Sequence, residues 1–202
     1  YQAVGAYDLN ASLINLNEPG VNDLTIHTAP TLSATNGWVS DGTTMLDTGY
    51  TGQTPSVIFS VKAAGNERFV LGAYVSNNRF SAVSTLGMGG CMFGTSTDID
   101  NGWYDSHLFI AETDVGAILQ QSADNYIGWS ITNGYGILRN YPPNTTAEWG
   151  ILAAKNTSSG TPYNGITGSM QAVVMYSGTT YLTQAQIEAV AAHIQKLKEV
   201  YG

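Results

Sequence analysis

The sequence predicts an all-β chain, a sandwich or a barrel, carrying one C-terminal helix. Short period-2 runs rich in branched and aromatic residues recur along most of the chain. Turn formers separate them, since 23 glycines and only 11% charged residues mean frequent tight turns and short strands. The period changes to that of a helix only near the end. A chain of 202 residues can bury roughly 70% of its unfolded surface, so a single domain over 1–202 is expected.

The strand runs come in order. "SVIFSVKA" from Ser56 is followed, after the turn "AGNE", by "RFVLGAYV" from Arg68, and after "SNN" by "RFSAVSTLG" from Arg79. This spacing predicts a meander of adjacent antiparallel strands. Further runs are "SHLFIAE" from Ser106, "YIGWSI" from Tyr126, "GYGILRN" from Gly134, "AEWGILAA" from Ala147 and "SMQAVVMYS" from Ser169. The Asn-Gly pair in "TNG" at Thr132–Gly134 favours a tight hairpin. About ten short strands in one chain imply a sandwich or a barrel. The terminal "YLTQAQIEAVAAHIQKLKEVYG" places Ile187, Val190, Ala191, Ile194, Leu197 and Tyr201 on one helical stripe. Thr183 is its natural N-cap, Gln186 completes a capping box, and Leu182 can staple to Ile187. His193 falls beside the stripe and reads as a solvated residue.

Composition excludes several function classes. A net charge of −8 repels a phosphate backbone, and the seven Lys and Arg residues form no cluster, so nucleic acid is not an expected partner. No run of about 18 apolar residues occurs, so no membrane insertion by a helix is expected. The lone Cys91 makes no internal disulfide and reads as a buried thiol. The opening "YQAVGAYDLN" has neither initiator Met nor signal features and reads as a piece of a longer polypeptide. The histidines His27, His107 and His193 are scattered, and no H-E-x-x-H, G-x-S-x-G, P-loop or C-x-x-C pattern occurs.

Two stretches carry candidate chemistry. In "HLFIAETDVGAIL", Glu112 and Asp114 are spaced to share one face of a strand, about 6.5–7 Å apart. A retaining glycosidase needs two carboxyl groups roughly 5–5.5 Å apart, and hard oxygen ligands also suit a divalent cation. In "STDIDNGWYDSH", Trp103 and Tyr104 interrupt a polar loop where no strand pattern demands large aromatics. An aromatic ring can cover the apolar C–H face of a sugar, while Asn101, Asp105 and His107 can bind its hydroxyls. Trp103 can equally fold back as a lid on the core. A second group, Tyr135, Arg139 and Tyr141 in "GYGILRNYPPN", either lines a groove or packs at strand ends. Asp98 and Asp100 are weak candidates for calcium, because Gly102 stands where a third loop ligand is expected and no closing Glu follows. Calcium is therefore the one cofactor left open.

The segments "AYDLNASLINL", "NGWVSDGTTMLDTGYTGQTPSVIFSVKA" and "GSMQAVVMYSGTTYLTQAQIEAVAAHIQKL", in that order, resemble the concanavalin A-like (laminin G-like) jelly-roll domains found in phage tail and prophage proteins. The resemblance implies a two-sheet antiparallel β-sandwich with one C-terminal α-helix. Glucanases of that fold carry E-x-D-x-(x)-E, whose last Glu is the acid/base. Here Val115, Gly116 and Ala117 follow Asp114, so the acid is missing. Legume-type lectins complete a metal site with downstream Asn, Asp and His, and "VGAILQQSADNYIGW" offers no such series. A glycoside hydrolase is thus disfavoured, and Glu112 and Asp114 read as a strand-end or hydrogen-bonding pair.

Fold alone does not assign function. The leading expectation is a non-catalytic recognition module that binds a glycan or cell-surface receptor, on a phage tail or cell surface. Its setting would be extracellular or the virion surface, with a homo-oligomer formed through the parent protein compatible with it. The competing expectation is a structural or decoration domain making protein contacts only.

Overall fold

The computed structural model describes residues 1–51, 56–64, 68–75, 79–86, 90–96, 115–122, 125–130, 134–137, 148–176 and 182–201. In chain order the elements begin with α1 (Leu9–Ser12), β1 (Thr25–Thr28), β2 (Thr31–Ser33), β3 (Gly37–Asp41) and β4 (Met45–Thr51). They continue with β5 (Ser56–Ala64), β6 (Phe69–Val75), β7 (Arg79–Leu86), β8 (Gly90–Ser96), β9 (Val115–Ser122), β10 (Asn125–Ser130) and β11 (Gly134–Ile137). The last are β12 (Glu148–Ile151), β13 (Ala154–Asn156), β14 (Pro162–Tyr163), β15 (Thr167–Tyr176) and α2 (Gln184–Tyr201).

Among the described residues the strands form two sheets. A sheet of seven runs β11-β10-β9-β5-β15-β3-β2, antiparallel throughout. A sheet of eight is built on β6, which pairs with β7, β12 and β13, with β8 beyond β7, β4 and β1 beyond β12, and β14 beyond β13. The β6–β13 ladder is parallel, a local departure from the antiparallel pattern.

The two sheets face each other across the main core. Trp38, Val57, Phe59, Val61, Met170 and Val173 come from the smaller sheet, and Leu46, Val70, Leu71, Trp149 and Ile151 from the larger. Alternation along β5 sends Ile58 the other way, where it meets Val115, Ala172, Ile187, Ala191 and Ile194. Helix α2 therefore covers the outer face of the smaller sheet, and β5 is buried on both faces. The helix starts as its sequence requires: the backbone N–H of Thr183 donates to Gln186 Oε1 at 2.8 Å, and the N–H of Gln186 donates to Thr183 Oγ1 at 3.4 Å. Leu182 packs into the cluster beneath it, and His193 is exposed.

The fold class is the expected one, with three local corrections. The meander begins one strand later than the spacing predicts, because β5 pairs with β15 and β9 while β6, β7 and β8 form the consecutive run in the other sheet. Burial on both faces explains this: β5 is apolar enough to be a central strand under a helix. "AEWGILAA" is two strands, since Leu152 adopts φ 73° and turns the chain between β12 and β13. Tyr176, which the run "SMQAVVMYS" is expected to place in a final core strand, instead closes β15 at 37% exposure. The run "SHLFIAE" and the turn residues Ile131–Asn133 lie outside the described residues.

Candidate functional site

The loop after α1, "INLNEPGVND", has no strand or helix of its own, yet side-chain hydrogen bonds fix its shape. Asp23 accepts from the backbone N–H of Asn15 at 2.8 Å, and its two oxygens accept from Gly20 N–H at 3.2 and 3.1 Å. The Asn15 amide donates to the Val21 carbonyl at 2.8 Å and its oxygen accepts from Asn17 N–H at 3.1 Å. Asn22 supplies the turn with φ 53°, a left-handed conformation that Asn tolerates.

The N-terminal segment holds this loop against the sandwich. Residues 1–4 lie along β15 where β3 ends: Val173 N–H donates to the Tyr1 carbonyl at 3.1 Å, and Ala3 and Val4 N–H groups donate to Gln171 O at 2.9 and 3.1 Å. A bulge in β15 between Met170 and Ala172 presents that Gln171 carbonyl. The Tyr1 hydroxyl donates to the Asn22 carbonyl, joining the segment to the loop.

Between these parts lies a cleft of about 620 Å³. Its size is that of an ordinary small-ligand site. It is lined by the aromatic Tyr1, Tyr50 and Tyr176, by the polar Gln2, Asn15, Asn17, Glu18 and Asn22, and by His193, Ile194 and Leu197 of α2. Burial raises the phenol pKa values of Tyr1 and Tyr50, and the charge of Asp23 raises that of Tyr1 further. Both rings are therefore neutral near pH 7. Phenol rings beside amides offer an apolar surface and directional donors and acceptors at once.

A second polar cluster joins β4, β12 and β13. Lys155 Nζ lies 3.0 Å from Asp47 Oδ1 and 2.6 Å from Glu148 Oε2, with His27 Nδ1 3.9 Å from Asp47 Oδ2. Burial alone would lower the Lys155 pKa, but the two carboxylates outweigh it and raise the value above 10.5. One cation between two anions is a strand-to-strand tie. Among the described residues, no group of three or more His, Cys, Asp or Glu is placed to hold a metal ion.

The residues singled out in the sequence lie elsewhere in the chain. Asn101, Trp103, Tyr104, Asp105, His107, Arg139 and Tyr141 are outside the described residues, as are Asp98, Asp100, Glu112 and Asp114. Tyr135 belongs to β11, opposite Trp129 of β10. The cleft residues carry one signal in the sequence: "NLNEPGVND" packs four Asn or Asp residues around a Pro-Gly turn, more than a plain connection requires.

No protein-family model matches the chain, and no curated protein matches it. Among solved structures it is similar to the CBM40 domain of a Ruminococcus gnavus IT-sialidase, determined bound to alpha2,3 sialyllactose, with a TM-score of 0.51 and 13% identity over 70% of this chain and 83% of that one. At this identity the likeness is one of fold: the chain shares the β-sandwich of that carbohydrate-binding module.

Proposed function

We propose that this chain is a non-catalytic glycan-binding module whose binding site is the cleft between the N-terminal loop, β15 and α2. The observation that carries the reading is the pairing of three tyrosines with four amide side chains around one ligand-sized space. The β-sandwich shared with a carbohydrate-binding module supports it at the level of fold. The setting in this reading is a virion tail or cell surface, where a glycan receptor would be met. That part rests on the sequence resemblance to phage-tail jelly rolls.

Tyr176 is the suitable probe, because at 37% exposure its truncation spares the core. Tyr176→Ala should remove a stacking surface of about 1 kcal/mol and weaken glycan binding about fivefold, with the melting temperature nearly unchanged. Titration calorimetry against glycans selected from an array measures this. Wild-type protein that binds no glycan would overturn the reading; equal affinities for the two proteins would remove the site from the cleft. A loss confined to Trp103→Ala would place it on the 101–107 loop.

A second reading, a domain that makes protein contacts only, is favoured by exposed apolar side chains. Tyr7 is 95% exposed, and Leu16 and Val200 are each 62% exposed. Concentration-dependent self-association, lost in Leu16→Ser with Val200→Ser, would support it.

A further inference from the structure

We infer that the cleft selects uncharged glycans and turns away acidic ones such as sialylated or uronate-bearing sugars, an inference that rests on the glycan-binding reading above. The basis is the charge of the lining. Among the described residues that line it, Glu18 is the one carboxylate and none is Lys or Arg. A sugar carboxylate is ordinarily met by a cation or by a fork of charge-assisted donors. Here the described lining offers one carboxylate and no guanidinium or lysine ammonium.

A second anion stands behind the first. Asp23 is held in place by its bonds to Asn15 and Gly20, so its charge is fixed beside the same polar lining. Its field already reaches the cleft, where it helps raise the Tyr1 phenol pKa. The chain as a whole carries −8, which adds a long-range repulsion to the local one. A neutral sugar meets none of this. Its hydroxyls can donate to Glu18 and exchange hydrogen bonds with the amides of Gln2 and Asn17, while a tyrosine ring covers a C–H face. His193 and the α-amino group of Tyr1 are the lining groups able to supply positive charge among the described residues, and burial lowers the pKa of that amino group from 8.0, so the experiment belongs at pH 8.

The test is calorimetry and array binding of the full chain at pH 8 with matched oligosaccharides, each neutral member paired with its sialylated or uronate-bearing counterpart. The expected result is neutral sugars binding at least tenfold tighter than their acidic partners, with Tyr176→Ala weakening the neutral set. Glu18→Gln should narrow that gap at least threefold by admitting the acidic set. Acidic sugars that bind as tightly as neutral ones, with the same dependence on Tyr176, would overturn the charge selection and leave the glycan reading standing. An unchanged gap in Glu18→Gln would also overturn it. Binding of neither set would overturn both.

Discussion

Trp38 is fully buried between the sheets, and its indole N–H donates to Ser12 Oγ at 2.8 Å, while that hydroxyl donates to the Leu9 carbonyl at 2.6 Å. One serine thus pins the short helix α1 to the core. Ser12→Ala should cost about 1–3 kcal/mol in urea unfolding, because the indole is left buried without a partner. A loss within about 0.5 kcal/mol, the scatter of ordinary surface changes, would mean that water reaches the indole. Nothing in the sequence marks Ser12 as special, since a hydroxyl in "NASLIN" has the same composition whether it faces solvent or a tryptophan. Leu152 shows the same limit from the other side. Its φ of 73° costs an L-residue on the order of 1 kcal/mol, but its side chain is fully buried, and losing a buried leucine costs about 2–5 kcal/mol. Packing wins, so a leucine occupies a position where backbone chemistry alone would favour glycine or asparagine.

At the scale of elements, legibility follows the strength of the local signal. Helix α2 is readable to its cap because the capping box, the staple and the stripe are all local in sequence. Strand β5 is readable as a strand but not as a member of a particular sheet, since a run buried on both faces has no alternation to say which neighbour it takes. The tie among β4, β12 and β13 is harder still, because Asp47 meets Glu148 and Lys155 only through pairing of strands about a hundred residues apart, and the turn that brings Lys155 back to Glu148 is set by Leu152. Lys155→Met should leave two carboxylates facing each other with no cation. All three side chains are partly buried, so the cost at pH 7 should fall between that of an exposed and a buried pair, about 1–3 kcal/mol. In the wild type the raised Lys155 pKa adds stability that is present below the unfolded value of 10.5 and lost as pH climbs through the folded value. The deficit of Lys155→Met should therefore shrink at alkaline pH, which thermal melts of both proteins from pH 7 to 11 check; a deficit that grows over that range would contradict the ion-pair account.

The cleft belongs to the whole molecule. Tyr1, Tyr50 and Tyr176 come from the start, first quarter and last quarter of the chain, from the N-terminal segment, β4 of one sheet and β15 of the other, and only the tertiary fold brings them together. No spacing rule could have found them, whereas an aromatic loop such as 101–107 announces itself within a few residues. The same geometry makes the cleft depend on a residue that the pocket itself need not touch. Asp23 holds the loop through Asn15 and Gly20, so Asp23→Ala frees the polar lining without opening the sandwich core. A ligand must then order that loop on binding, at a cost of roughly 1–2 kcal/mol for each backbone residue it fixes. Glycan affinity should fall at least tenfold, amide exchange should quicken over Asn15–Asn22, and exchange in β5 and β15 should stay slow. Asp23→Asn keeps one acceptor oxygen and should recover part of the affinity. If Asp23→Ala binds as tightly as wild type while its loop exchanges faster, the polar lining is not part of the binding surface, and the site must be built from the tyrosines and α2 alone.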